Sequence, residues 1–129
     1  MAERINYSSG AKWEDIVGYC RAVQVGDTLE VSGTVAADEN GIVGKDNVYE
    51  QTKFIIQKIE KVLHQAGFSL KDVVRTRMFV TDITQWEEVG KAHGEFFKEI
   101  KPVTSMIEIS ALIDPDYLIE VEVTARKAS

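Results

Sequence analysis

The chain has 129 residues and a mass of 14.4 kDa, with 44% hydrophobic and 28% charged residues, enough for one domain with a core and too short for two. Fifteen Lys and Arg against twenty-one Asp and Glu leave a net charge of −6 and a pI near 4.9, so without a Lys/Arg cluster the chain is a poor match for nucleic-acid phosphates. No apolar run reaches the ~20 residues of a bilayer span, and the opening MAERINYSSGAKWED lacks the apolar core of a secretory leader.

Residues 1–16 are polar and aperiodic and are expected to form an N-terminal arm to a single domain over 1–129. Tyr19 to Val25 alternates weakly, and Gly26-Asp27 signals a tight turn into a second strand. That strand, Thr28 to Val35, places Leu29, Val31 and Val35 on one face and Thr28, Glu30, Ser32 and Thr34 on the other. Asp38 to Gly41 reads as another turn. From Val48 the period lengthens: Thr52, Ile55, Ile59, Val62, Leu63 and Ala66 form a helical stripe, with Asp46 or Asn47 as cap and Gly67 at the left-handed end position. Val73 to Val80 alternates again.

A second helix is expected to start at Thr84 as N-cap, with Glu87 completing a capping box, and to bury Trp86, Val89, His93, Phe96 or Phe97, and Ile100. Pro102 forces an extended entry into a strand at 103–109, Asp114-Pro115-Asp116 turns, and Leu118 to Arg126 is the last strand. The order ββαβαββ predicts an α+β domain with two helices on one face of a sheet. The opposite face, with Arg75 and Arg77 against Glu120 and Glu122, fits a solvated surface or an oligomer interface equally well. Cys20, the only cysteine, excludes an intrachain disulfide and a Cys-based zinc site. It agrees with a reducing, cytoplasmic location.

The strand pair ending in Val31-Ser32-Gly33, the segments Leu70 to Val74 and Phe79 to Asp82, Glu95-Phe96-Phe97, Pro102 with Ser105, and Ile119 to Glu122 together resemble the YjgF/RidA family. This family is also called reactive intermediate deaminase or endoribonuclease L-PSP. The resemblance spans about Ile16 to Arg126. It implies a chorismate-mutase-like fold, a homotrimer with clefts between subunits, and hydrolysis of small imines and enamines to keto acids and ammonia with no metal or cofactor. It places the family's water-positioning glutamate on Glu120, its cleft tyrosine on Tyr19, and its serine-glycine on Ser32 and Gly33. The arginine that clamps the substrate carboxylate falls on Thr104, a cleft asparagine on Gly90, and a nearby tyrosine on His93.

A carboxylate in a cleft can hold a water against a C=N carbon and take its proton, so Glu120 is the expected catalytic residue; its bland alternative is a solvated strand glutamate. Tyr19, Ser32, Gly33, Thr104 and His93 are expected to shape the substrate cleft. Arg21, two residues after Tyr19, is a candidate for the anion contact that threonine does not make, with a surface or inter-subunit ion pair as its alternative. His64 and His93 lie on different helices without a third ligand, so no metal site is expected. The expected function is a RidA-like hydrolase with a substrate other than an ordinary 2-imino acid. The alternative is a non-catalytic trimeric small-molecule binding protein, with endoribonuclease third.

Overall fold

The computed structural model of the chain describes residues 3–128 and begins where no structure was expected. Strand β1 (Arg4–Tyr7) lies antiparallel to β2 (Ala22–Val25), and helix α1 (Lys12–Val17) lies between them. The arm reading of 1–16 is therefore corrected over the described residues. The physical reason is that β1 is held by backbone pairing, with three of its four residues exposed, so it shows no apolar alternation. Helix α1 is similarly silent: Ile16 and Val17 face outward, while Glu14 is buried. Glu14 Oε2 accepts hydrogen bonds from the Ser9 amide at 2.9 Å and its hydroxyl at 2.5 Å, which hold its carboxyl below the usual carboxylate range.

Gly18 closes α1 in the left-handed region, and the Tyr19 amide bonds back to Glu14 O. Residues 19–21 consequently stay outside the strand expected from Tyr19. After β2 the chain turns at Gly26, at φ 59°, into β3 (Thr28–Thr34). Two short strands, β4 (Ala37–Asp38) and β5 (Gly41–Ile42), form a hairpin at the expected turn.

Helix α2 (Val48–Gln65) is capped by Asn47, whose side chain accepts from the Glu50 amide. Its end is a Schellman turn: Gly67 is left-handed, its amide bonds to His64 O, and the buried Phe68 bonds to Leu63 O at 2.8 Å. Next come β6 (Val73–Val80), α3 (Trp86–Phe97), β7 (Val103–Glu108) and β8 (Ile119–Arg126). The cap expected at Thr84 belongs to Asp82, which accepts from the Thr84 amide and heads a 3-10 turn before α3. That extra turn delays the helix, so its buried stripe starts at Val89 and Trp86 is exposed.

The sheet order is β1-β2-β3-β8-β6-β7, and among the described residues only β6 and β7 pair in parallel, joined by α3 as crossover. Helices α2 and α3 cover one face over a core that includes Leu29, Ile55, Leu63, Met78, Val89 and Val121. This is the expected α+β arrangement of two helices on a sheet. Among the described residues, neither α2 nor α3 lies on the other face. There Arg77 meets Glu122 at 3.7 Å.

Candidate functional site

The decisive local feature is in β3. Val31 pairs with Val123 but Thr34 pairs with Val121, so three steps on β3 match two on β8. Ser32 and Gly33 form a β-bulge. The extra residue inverts the inside-outside order, which corrects the predicted faces: Thr34 is buried in the core and Val35 is not.

Beyond the bulge stands Glu120, on β8 opposite Phe79. A Cβ built on Gly33 would lie 2.5 Å from Glu120 Oε1 and 2.7 Å from its Cδ. The glycine is needed because the carboxyl occupies the space of a side chain. Arg21 braces the same turn, its Nη2 donating to Gly33 O at 2.7 Å, and the Ser32 hydroxyl donates to Cys20 O at 2.7 Å. Burial, reinforced by the charge of Glu122, pushes the Glu120 carboxyl above its ordinary range, and Arg21 pulls it partly back. Burial also lowers the Arg21 guanidinium, opposed by Tyr19, Glu14 and Glu120. Its Nε is enclosed without a hydrogen-bond partner among the described residues. Tyr19 and Arg21 share no strand face, since both precede β2; Tyr19 is 42% exposed beside the αL turn.

Thr104 and His93 meet elsewhere. Thr104 lies on β7, a free sheet edge, in register with Thr76. Thr76 is fully buried. Its Oγ1 lies 2.9 Å from His93 Nε2 and 2.8 Å from Thr104 Oγ1. The Thr104 hydroxyl also reaches Pro102 O at 3.2 Å. His93 packs on Phe97 with ring centroids 4.6 Å apart, and burial lowers its pKa from the usual histidine value. Sequence reasoning missed Thr76, because a threonine inside a strand is an ordinary β-former and carries no signal of its own.

Thr76 points to the helical face, whereas Phe79 and Glu120 point away from it. Their positions on β6 differ by about 10 Å along the strand. In one protomer the candidate residues therefore form two groups: Glu120 with Gly33, Ser32, Arg21 and Tyr19, and Thr104 with His93 and Thr76. Gly90 is an exposed position on α3. A hollow of about 250 Å³ on the helix-free face is lined by Glu30, Ser32, Arg75, Arg77 and Glu122 among others. Among the described residues, no three His, Cys, Asp or Glu side chains gather as metal ligands.

A sequence profile of the endoribonuclease L-PSP family matches residues 9–127. The chain belongs to that family. Among solved structures, this L-PSP family chain is similar to Rv2704 of Mycobacterium tuberculosis, described as a member of the highly conserved YjgF/YER057c/UK114 family. The two are 45% identical with a TM-score of 0.88, covering 97% of this chain and 100% of that one. A RutC family protein of Pyrococcus abyssi, PYRAB12510, is 34% identical over 128 residues, 98% of this chain and 99% of its own length. The 3-aminoacrylate deaminase RutC of Acinetobacter baylyi is 31% identical over 104 residues, 80% of this chain and 82% of its own.

Proposed function

We propose that this L-PSP family protein is a cofactor-free hydrolase of small imines or enamines that works as a homotrimer. The observation that carries the reading is the Glu120 carboxyl, half-buried against Gly33 with a raised pKa. Raising the pKa of a carboxylate makes it a stronger base toward a water held against it. Glu120 holds a water against the C=N carbon and takes its proton as the oxygen bonds to carbon. The nitrogen, protonated in turn, leaves as ammonia while the carbonyl forms. The sum is imine plus water to carbonyl compound plus ammonia, and no other reactant is needed.

Assembly supplies the remaining parts. In a trimer, the β7 edge of one copy, with Thr104 and His93, stands beside the bulge of another, uniting the two groups that one protomer keeps apart. Tyr19, Ser32 and Gly33 shape the wall next to Glu120. Arg21 serves there by bracing the bulge and setting the local charge. The name of the Acinetobacter relative, a deaminase of an enamine acid, supports the reaction class.

Thr104 sets the substrate apart. A guanidinium grips a carboxylate with two charge-assisted bonds, and a neutral hydroxyl supplies one at most. The difference is about 2–4 kcal/mol, or tens- to hundreds-fold in affinity. We expect slow ammonia release from enzymatically generated 2-iminopropanoate and faster release from imines without a carboxylate. Fast turnover of 2-iminopropanoate that Glu120→Ala abolishes and Arg21→Ala leaves intact would overturn the altered specificity. Ammonia release indifferent to Glu120→Ala on every imine tested would overturn the hydrolase.

One observation favours a second reading, a trimeric binding protein without turnover: the Thr104 hydroxyl is already engaged with Pro102 and Thr76. Thermal stabilisation by a small carboxylate or neutral analogue without ammonia release separates the two. The ribonuclease activity in the family's name suits the net acidic charge poorly. No helix among the described residues is long and apolar enough to cross a membrane, and the lone cysteine favours a cytoplasmic place.

A further inference from the structure

The polar chain at the β7 edge has a direction. Pro102 O can only accept, so the contact at 3.2 Å requires Thr104 to donate its single hydroxyl proton there. The 2.8 Å contact between the two threonines is then made by Thr76 donating to Thr104, and the 2.9 Å contact by His93 Nε2–H donating to Thr76. This sense forms three hydrogen bonds. The reverse sense, with Thr104 donating to Thr76 and Thr76 to Nε2, leaves Pro102 O without its donor and forms two. Only the first sense tolerates a protonated imidazole, since both ring nitrogens are then donors.

The consequence falls on the other ring nitrogen. His93 Nδ1 has no protein partner among the described residues, and it is not enclosed. In the three-bond arrangement it carries a lone pair, and Thr104 Oγ1 keeps one as well. We propose that this edge of the cleft is an acceptor pair, His93 Nδ1 and Thr104 Oγ1, oriented by the buried Thr76 and selective for a substrate group bearing N–H or O–H donors. The inference rests on the reading of this edge as part of the substrate cleft and narrows its substrate class. Where a family arginine would present donors to a carboxylate, this chain presents lone pairs. A carboxylate placed against either atom meets an acceptor, whereas a neutral amide or amine end meets a partner. Thr76 touches no substrate in this scheme; it is a positioning residue.

The test is nitrogen-15 NMR of the His93 ring in the full-length protein above its pKa. The expected signature is a protonated, pyrrole-type Nε2 and an unprotonated, pyridine-type Nδ1. Thr76→Val removes the acceptor for Nε2–H and is expected to raise the Nδ1–H tautomer severalfold, while Thr76→Ser restores the wild-type pattern. Titration with propionamide and with propionate, of nearly equal shape, then reads the substrate class. The amide is expected to move the His93 resonances with at least tenfold tighter binding than the acid. An Nδ1–H tautomer in the wild type overturns the proposal, as does a tautomer that Thr76→Val leaves unchanged. Propionate binding as well as propionamide, or neither reaching His93, overturns the substrate class. Repeating the ring measurement in Glu120→Gln separates this inference from the hydrolase reading, because Glu120 lies outside the hydrogen-bond chain.

Discussion

Adding one methyl group at Gly33 forces the Glu120 carboxyl to move, since the new carbon would stand 2.5 Å from Oε1. A flexible side chain can yield, so Gly33→Ala is expected to fold with a Tm within a few degrees of wild type. A displaced base is costly to catalysis, and ammonia release should fall by about 100-fold. Circular dichroism melts and the deaminase assay check the two halves. Glu120 itself carries a sign. Its folded pKa lies above the unfolded one, so the folded chain holds that proton more tightly. Stability from this group is full below the unfolded value and is lost as pH rises through the folded one. Above its folded pKa the ionised carboxylate therefore weakens the fold, and there Glu120→Gln should raise Tm by about 1–3 °C while abolishing turnover. The acid limb of the rate profile is expected above the usual glutamate value. Arg21→Met, which removes the charge that lowers this pKa, should move that limb to higher pH; an unmoved limb refutes the electrostatic role.

At the scale of elements, Gln51 links α2 to the chain around it. This wholly buried side chain donates to Gly44 O and Asp116 O and accepts from the Leu118 amide at 2.9 Å. It thereby sets the entry into β8 and the position of Glu120. Gln51→Leu leaves three backbone groups without that partner and is expected to destabilise the fold by about 2–4 kcal/mol, read from urea unfolding at fixed protein concentration. Asn47→Ala, which removes only the α2 cap, should cost about 1 kcal/mol. A larger effect of the cap than of Gln51 would contradict this ranking. Both elements show how far sequence patterns reach. The α2 stripe and the alternation of Val73 to Val80 were legible because each repeats one geometric period over many residues. The start of α3 was not, because Asp82 and Thr84 are both good caps and only the folded 3-10 turn selects between them.

For the molecule as a whole, the apolar residues left outside are telling. Trp13, Ile16 and Val17 on α1, and Val103 and Ile107 on the β7 edge, are all more than 40% exposed. Exposed apolar groups on two distant elements fit the heterologous contacts of a ring, in which one surface of each copy meets a different surface of the next. We expect native mass spectrometry to give three times the 14.4 kDa chain mass. Ile16→Glu or Ile107→Glu should shift the population toward monomer and lower ammonia release together. A wild-type monomer with full activity would refute an inter-subunit cleft.

The amino-acid order alone determined the ββαβαββ succession that follows α1, the place where α2 begins and its glycine end, and the resemblance that points to Glu120. These rest on local periodicity and on residue types with narrow conformational preferences. Tertiary structure alone decided the bulge at Ser32–Gly33, the pairing of β1, and the meeting of His93 with Thr76 and Thr104. Each is a matter of register between segments far apart in the chain. A single unpaired residue, or a strand held by backbone pairing and one side-chain bond such as Tyr7 to Gln24, leaves almost no mark on local composition, yet it settles which side chains share a face.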